Sequence, residues 1–269
     1  MPELPEVETT RRGIQPYMEE QLIASVAVRN PHLRWPVPSQ IVNLRDQQVL
    51  QVLRRGKYII VEVPAGALLL HLGMSGSLRV ITTETPYLKH DHVDLLLSSG
   101  VRIRFNDPRR FGCCLWADDW RQHALIASLG PEPLTEEFDA AYLYAKSRGR
   151  STSIKQFIMD AKTVVGVGNI YANEALFMAG IDPRRAAGKV SKARYIELVA
   201  YIKQVLAAAI EQGGTTLRDF VNTEGKPGYF KQQLYVYGRA GEPCKQCGTA
   251  LKEVRQQQRS TVFCRVCQR

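Results

Sequence analysis

Short apolar stretches separated by turn residues occupy roughly the first 130 positions of the chain. Each stretch is rich in Val, Ile and Leu, and Gly, Pro, Asn or Asp lies between successive stretches. Segments of this length and spacing are typical of the strands of a β-sandwich or a barrel. The predicted strands are Gln21–Val28, Gln48–Leu53, Tyr58–Val63, Ala67–Leu72, Ser77–Ile81, His92–Leu97 and Val101–Phe105, followed by a strand-like run at Phe111–Trp116.

Helical patterns lie on either side of this region. Pro5–Gly13 predicts a short helix, because proline suits a first turn, Glu6 and Glu8 favour the positive end of the helix dipole, and Gly13 is suited to end it. After a boundary signal at Gly130–Pro133, the apolar spacing becomes helical. The helices predicted there are Glu136–Lys146, Ile154–Asp160, Ile170–Ala179 and Lys192–Glu211.

These zones predict three domains. Residues 1–130 form a β-rich domain, 131–238 a helical domain and 239–269 a small C-terminal module. Within the second zone, Gly213–Phe230 is too glycine-rich for a packed element and too long for a tight turn. Two interpretations of this stretch remain open, a plain connector and a loop that closes over a ligand.

The charge balance points to a polyanionic partner. The 269 residues include 36 Lys and Arg against 26 Asp and Glu, a net charge of +10 that is typical of proteins binding nucleic acid. A merely solvated basic surface is the alternative, but about half of the excess lies after position 238. No apolar run reaches the roughly 18 residues of a membrane span, and the acidic N-terminus is unlike a secretory signal. We therefore expect a cytoplasmic protein without a membrane partner.

Four of the six cysteines form a repeated pair. The pattern is Cys244-x2-Cys247, sixteen residues, then Cys264-x2-Cys267. This spacing is typical of a structural zinc site with four thiolate ligands, and the repetition argues against a redox pair or accidental thiols. A segment with so few apolar residues needs the metal for its folding energy. Cys113 and Cys114 lie in a strand-like run, and we expect them to be small buried thiols.

The N-terminus carries a candidate nucleophile. Removal of Met1 would expose Pro2 as a secondary amine, whose pKa near 8 lies well below the roughly 10.4 of lysine. Such an amine attacks an aldehyde-level carbon to give an iminium, and Glu3 and Glu6 are close enough in sequence to move protons. The alternative is an acidic helix-capping terminus stiffened by prolines.

Seven motifs together resemble one family. They are Met1–Glu8, Arg55–Lys57, Leu72–Gly76, Asp107–Gly112, Gly166–Tyr171, Gly225–Phe230 and the terminal cysteine pairs. The chain resembles the formamidopyrimidine-DNA glycosylase family along nearly its whole length. Endonuclease VIII, the sister group, typically has Gly where this chain has Leu4. The resemblance implies an α+β fold: an N-terminal β-sandwich with flanking helices, a helical helix-two-turn-helix domain and a C-terminal zinc finger.

The resemblance also implies an activity. Enzymes of this family remove oxidised purines (8-oxoguanine and formamidopyrimidines) from duplex DNA and then cut the strand as abasic-site lyases. Pro2 would attack C1′ of the damaged nucleotide, and Glu3 would act as the acid/base that opens the sugar. Lys57 would contact phosphate and assist β-elimination, and Arg259 would grip phosphate and assist δ-elimination. One structural zinc ion is the only cofactor implied, and the enzyme would act as a monomer on the nucleoid.

The resemblance further assigns DNA contacts. Met74, Arg109 and Phe111 match residues that fill the gap left by an everted base, and the arginine would hydrogen-bond the orphaned cytosine. Taken singly, Met74 and Phe111 belong to residue types that are more often found in the core, and this is the alternative. Asn169 opens a helix after two glycines, where a phosphate would be held. Further predicted DNA contacts are His90 and Arg150. His71 and Lys155 are further phosphate candidates, for which a satisfied role at the surface or in the core is the alternative. The loop 213–230 would close over 8-oxoguanine with backbone amides.

Other functions remain as alternatives. The chain is also compatible with a glycosylase for oxidised pyrimidines or with a non-catalytic zinc-ribbon protein that binds DNA. Loss of activity has no support, because Pro2, Glu3 and Lys57 are all present. A dinucleotide fingerprint at Gly166–Gly168 is excluded, because the third glycine is missing.

Overall fold

The structure is a computed structural model that describes residues 2–213 and 234–269. It contains two compact units, 2–128 and 129–211 with 234–269. The first unit is built on sheets and the second on helices, so the predicted α+β class is confirmed. In the part of the chain described, no helix is long and apolar enough to cross a membrane.

The first unit begins with a helix and continues as eight strands. Helix α1 spans Leu4–Met18. The strands are β1 Ile23–Val28, β2 Gln51–Arg55, β3 Tyr58–Val63, β4 Gly66–His71, β5 Ser77–Ile81, β6 Asp91–Leu97, β7 Arg102–Asn106 and β8 Cys113–Ala117, with a 3-10 helix at Ser39–Leu44 and the short helix α2 at Ala124–Ala127.

Two antiparallel sheets form a sandwich rather than a barrel. Their strand orders are β1-β6-β7-β5 and β2-β3-β4-β8. Side chains from both sheets, such as Val61 and Leu70 of one and Leu95 and Phe105 of the other, belong to a single buried cluster. Cys113 and Cys114 lie in this interior as predicted, and burial raises the pKa of Cys113 to about 12, so this thiol is unreactive.

The predicted end of α1 at Gly13 is wrong. The helix continues for five more residues, and Ile14 and Met18 on its inner face are both fully buried. Burying two large apolar side chains, at roughly 1.5–3 kcal/mol each, offsets the cost of Gly13 and Pro16 inside the helix, which is about 1 and about 3 kcal/mol. Helix α1 packs against β2 and β3 of one sheet and β5 of the other.

The second unit contains four helices and a C-terminal hairpin among its described residues. The helices are α3 Ala140–Ser147, α4 Ile154–Met159, α5 Asn169–Met178 and α6 Lys192–Glu211, with a 3-10 helix at Ala187–Lys189, and the hairpin strands are β9 Lys252–Gln256 and β10 Arg259–Phe263. Helix α3 begins later than the predicted Glu136, because the Asp139 carboxylate caps it by accepting the Tyr142 N–H at 2.7 Å.

The C-terminal module packs directly on α5. Phe177 of this helix shares a buried cluster with Val236, Leu251 and Val262. The Glu174 carboxylate accepts three successive backbone N–H groups, from residues 235, 236 and 237, at 2.7, 2.9 and 2.8 Å. Phe177 of the helical part of the chain therefore completes the small apolar core of the module. The predicted domain boundaries at 130 and 238 stay predictions.

Candidate functional site

The N-terminal turn is buried and tightly held. Pro2 and Glu3 are both buried, and Glu3 is the N-cap of α1. Its backbone N–H donates to Glu6 Oε2 at 2.8 Å, and its own carboxylate accepts the backbone N–H of Glu6. This reciprocal capping box holds Glu3 immediately beside Pro2. The acidic helix-capping N-terminus, which the sequence left open as the alternative, is therefore formed. The same capping box keeps the Glu3 carboxylate next to Pro2, the candidate nucleophile.

A carboxylate of α1 ties this helix to the hairpin that carries Lys57. Glu8 accepts hydrogen bonds from Arg54 at the end of β2, at 3.0 Å, and from Arg11 at 2.8 Å. Burial alone would raise the pKa of Glu8, but the hydrogen bonds of Arg11 and Arg12 and the charge of Arg54 outweigh it and lower the pKa to about 2. The ionised Glu8 therefore fixes the hairpin against α1.

Lys57 lies in the two-residue turn between β2 and β3. Gly56 precedes it with φ +57°, a left-handed conformation that glycine adopts without strain. Lys57 itself is half-buried. The structure thus places Pro2, Glu3 and Lys57 on elements of the first unit that pack against each other.

Two loops of the first unit bring the predicted gap-filling residues together. Met74 lies in the turn between β4 and β5, and Arg109 and Phe111 lie between β7 and β8. A Cβ at Gly73 would lie 2.4 Å from the backbone of Phe111 and Gly112, so the two loops touch backbone to backbone. Only glycine at position 73 permits this approach.

The side chains of these loops are available for contacts. Phe111 is 44% exposed, which argues against a core role, and the Arg109 guanidinium carbon lies 5.0 Å from the centre of its ring. Arg109 is exposed and Met74 is half-buried. A cation beside an aromatic ring on one loop and a half-buried methionine on the loop that touches it therefore lie close together in the fold.

The two predicted histidine contacts have different environments. Burial, together with the charges of Lys57 and Arg34, lowers the pKa of His71 to about 4, so its imidazole is neutral at neutral pH. Its Nδ1 accepts the backbone N–H of Gly73 at 2.9 Å. The phosphate contact predicted for His71 stays a prediction. Because Nδ1 is an acceptor, the donor to the phosphate would be the Nε2–H of the neutral imidazole. His90 is half-buried at the end of the loop that leads into β6.

The four paired cysteines of the second unit form one cluster. All four sulfurs lie within 4.8 Å of one another, with Cys244 and Cys267 at 3.9 Å and Cys247 and Cys264 at 3.5 Å. Tetrahedral thiolate ligands 2.3 Å from a zinc ion would be about 3.8 Å apart. The residues therefore fit one structural zinc ion with four protein ligands.

Arg259 is at the tip of the hairpin that this cluster stabilises. It follows Gln257 and Gln258, whose φ angles of +46° and +62° form a tight hairpin turn, and it is exposed. Lys155 lies beneath the hairpin, 1% exposed, and donates to Ser260 O at 2.8 Å and to Thr261 Oγ1 at 2.7 Å. Arg259 and Lys155 line a cavity of about 360 Å³ between α4 and the hairpin.

The remaining predicted contacts of the second unit lie on separate elements. Asn169 begins α5 after the N-cap Gly168, and its buried Oδ1 has no hydrogen-bond partner among residues 2–213 and 234–269. A contact with a ligand would recover the free energy lost there. Arg150 is exposed after the end of α3. Most of the predicted lesion loop, from 214 to 230, lies outside the described residues.

Three family models match the chain. The formamidopyrimidine-DNA glycosylase N-terminal domain matches residues 1–114, and the H2TH domain of the same enzymes matches residues 129–221. A zinc finger found in FPG and IleRS matches residues 241–269. The three matches follow one another along nearly the whole sequence.

Full-length relatives and solved structures are similar to the chain. The formamidopyrimidine-DNA glycosylase of Marinobacter nauticus is 59% identical over 270 residues, covering 100% of both chains. The Lactococcus lactis Fpg (MutM) bound to DNA containing N7-benzyl-Fapy-dG is 32% identical, with a TM-score of 0.91 over 99% of both chains. A MutM complex with DNA containing carbocyclic 8-oxo-G is 33% identical, with a TM-score of 0.90 over 99% of both chains.

Proposed function

Because this chain belongs to the formamidopyrimidine-DNA glycosylase family, we propose that it is a base-excision repair enzyme that removes oxidised purines from duplex DNA. The observation that carries the proposal is the full-length identity of 59% to a curated member of the family. The related complexes with Fapy-dG and 8-oxo-G DNA support oxidised purines as the substrate class. The family's abasic-site lyase activity belongs to the same enzyme.

The N-terminal amine starts the reaction. With Met1 removed, a fraction of the Pro2 secondary amine is neutral at pH 7 and attacks C1′ of the damaged nucleotide. The glycosidic bond breaks, the base leaves with a proton, and the sugar ring opens as an iminium forms on the Pro2 nitrogen. Glu3, held beside Pro2 by the capping box, supplies and removes the protons of ring opening.

Strand cleavage follows from the iminium. Its positive charge acidifies the C2′ protons, and loss of one expels the 3′ phosphate by β-elimination. A second elimination expels the 5′ phosphate. Lys57 and Arg259 hold the phosphates and stabilise the charge that develops on them. Zinc acts structurally, because four thiolates leave no open coordination position.

Met74, Arg109 and Phe111 fill the space that the everted base leaves. Phe111 and Met74 occupy the gap with apolar surface, and the Arg109 guanidinium hydrogen-bonds the unpaired partner base, which favours cytosine. His71, His90, Arg150, Lys155 and Asn169 add contacts to the DNA backbone. The loop 213–230 receives the oxidised purine with backbone amides.

The three predicted domains divide the work. Residues 1–130 carry the chemistry, 131–238 and the finger at 239–269 hold the duplex, and the net charge of +10 attracts it. The enzyme acts as a monomer, and its DNA substrate places it on the nucleoid in the cytoplasm.

Borohydride trapping tests this proposal. The protein, verified to begin at Pro2, is incubated with a duplex containing 8-oxoguanine opposite cytosine, and the cross-linked peptide is mapped. We expect a covalent adduct on Pro2, none with a form that retains Met1, and weak excision when adenine lies opposite the lesion. Absence of any adduct would favour the non-catalytic DNA-binding protein.

The same assay separates the nearer alternative. A duplex with an oxidised pyrimidine replaces the 8-oxoguanine duplex at equal concentration. We expect a lower kcat/KM for the pyrimidine lesion. A clear preference for the pyrimidine would instead favour an endonuclease VIII-like specificity.

A further inference from the structure

A buried carboxylate with no part in the proposed chemistry lies under the loops that carry the gap-filling residues. Asp107 follows β7 and is 0% exposed. Its Oδ1 accepts the Ser75 hydroxyl at 2.8 Å, and its Oδ2 accepts the backbone N–H of Gly112 at 2.8 Å. The backbone N–H of Arg109 reaches both Asp107 Oδ1 and Ser75 Oγ at 3.3 Å. The Asp107 side chain therefore connects Ser75, which follows Met74, with Arg109 and Gly112 on either side of the 110–111 segment.

The main chain of Asp107 holds a third segment. Its N–H donates to the carbonyl oxygen of His90 at 3.0 Å, and its carbonyl oxygen lies 2.8 Å from Nε2 of the buried His92. Because His90 immediately precedes β6, this pair of contacts fixes the end of the 82–90 loop. Side chain and backbone of one residue thus reach all three loops.

At two glycines these loops pack backbone against backbone, with no room for a side chain between them. Gly73 touches the backbone of Phe111 and Gly112, and a Cβ at Gly112 would lie 2.5 Å from His71 O and 3.0 Å from Asp107 Oδ2. Arg110 between the gap-filling residues has φ +56°, a conformation that a non-glycine residue rarely adopts without support from its surroundings. The hydrogen bonds of Asp107 to residues 109 and 112 supply support on both sides of it.

We propose that Asp107, together with Ser75, is a positioning residue that holds Met74, Arg109, Phe111 and His90 as one rigid unit. This inference rests on the proposed function, in which the first three fill the space that an everted base leaves. A unit fixed before DNA binds loses little conformational freedom when it enters the duplex, and it keeps the Arg109 guanidinium aimed at the partner base. Asp107 acts through these residues and touches no reacting atom.

Two substitutions test the role of Asp107. Asp107→Asn keeps the shape but places an NH2 donor where one acceptor oxygen stood. With the amide oxygen towards Gly112, the Arg109 N–H loses its contact with Oδ1 and the Ser75 hydroxyl must reverse to accept. With the amide oxygen towards Ser75, the Gly112 N–H loses its partner. Ser75→Ala removes only the link between the Met74 turn and the 107–112 loop. We expect single-turnover excision of 8-oxoguanine from a paired duplex to fall about 10- to 100-fold in Asp107→Asn, because small misplacements of positioning groups have effects of this size. Ser75→Ala should show a smaller fall, and the double variant no further loss than Asp107→Asn alone.

A pre-opened substrate distinguishes positioning from general destabilisation. In a duplex with mismatches flanking the lesion, the base is already partly unstacked, so eversion needs less help from the rigid unit. We expect both variants to regain most of their activity on this substrate and to discriminate less between cytosine and adenine opposite 8-oxoguanine. Val61→Ala, in the buried core of the sandwich, is the control and should affect both substrates equally. Thermal unfolding of each variant identifies any that fails to fold. If Asp107→Asn does not fold, Ser75→Ala, which retains the buried carboxylate, still tests the link between the two loops.

Equal losses on paired and pre-opened duplexes, or unchanged excision and discrimination in both variants, would overturn the positioning role. Failure of the proposed function gives a different result, because the wild-type protein would then neither excise 8-oxoguanine nor form a trapped adduct.

Discussion

At the scale of single residues, one carboxylate of the first unit joins segments that are far apart in the sequence. Glu8 accepts hydrogen bonds from Arg11, Arg12 and Arg54, and its own side chain is 10% exposed. A helix-dipole argument from sequence accounts only for its position near the start of α1. The contact with Arg54, 46 residues later, is what joins this helix to the hairpin of Lys57. We therefore expect Glu8 to matter for stability as well as for the position of the candidate catalytic groups.

Glu8→Gln tests this contact through the pH dependence of stability. The folded protein lowers the pKa of Glu8 from 4.5 to about 2, so folding favours the ionised form. Its stabilisation is complete above pH 4.5 and is lost as the pH falls towards 2. The substitution should lower the free energy of unfolding at pH 7 by about 2 kcal/mol. It should also remove part of the loss of stability that the wild type shows between pH 4.5 and 2.

Urea unfolding at pH 7 and pH 3, followed by circular dichroism, measures both effects. Glu84→Gln, at an exposed position of the same unit, is the matched control and should change neither quantity. Parallel pH profiles for the wild type and Glu8→Gln would contradict the role given to Glu8.

At the scale of elements, the C-terminal hairpin fixes the position of the Arg259 side chain. The turn at Gln257 and Gln258 places Arg259 at the tip, and buried Lys155 holds the next two residues from below. Because facing residues alternate along a strand, Arg259 and Arg255 point to opposite faces of the hairpin. Arg259 therefore faces the cavity lined by Lys155 and Gln256, and Arg255 faces away from it.

Arg259→Ala should weaken duplex binding by a similar factor on all sequences, because phosphate contacts carry no base information. The slope of log affinity against log salt should fall by about one. Arg255→Ala removes the same charge from the other face and should leave both quantities nearly unchanged. Equal effects of the two substitutions would show that the hairpin contributes only general charge. Fluorescence anisotropy titrations at several salt concentrations measure the slope.

At the scale of the whole molecule, the finger and the helices of the second unit fold as partners. Phe177 lies in the buried cluster of the finger, Glu174 accepts three N–H groups at its start, and Gln268 donates to the carbonyl oxygen of Ile181. The first unit has its own buried cluster. Loss of zinc should therefore disturb the second unit and leave the sandwich folded.

Cys264→Ser or chelation tests this coupling. All three tryptophans, Trp35, Trp116 and Trp120, lie in the first unit, so their fluorescence reports on the sandwich. The ellipticity at 222 nm reports mainly on the helices. We expect zinc content to fall from one ion per chain, DNA affinity to be lost and ellipticity to decrease, with native tryptophan emission. A simultaneous change in tryptophan emission would show that the two units depend on each other for folding.

The sequence by itself determined the features that depend on local spacing. Alternation of apolar stretches with turn residues predicted the strands of the sandwich, and 3.6-residue periodicity predicted α4, α5 and α6 to within a few residues. The cysteine spacing predicted the metal cluster, because each CxxC turn brings two sulfurs together whatever surrounds it. The residues matched by family motifs also followed from sequence, although their roles rest on the resemblance.

Tertiary structure decided the features that depend on residues far apart in the chain. Burial of Ile14 and Met18 against the sheets extends α1 beyond Gly13, although the local pattern favours an end there. Asp107 stands in a recognisable motif, yet its contact with Ser75, 32 residues earlier, has no local signal. The bond between Lys155 and the hairpin spans more than 100 residues. The periodicity of a segment shows which of its side chains face the interior. Which residues they contact there is determined only when segments distant in the sequence pack together.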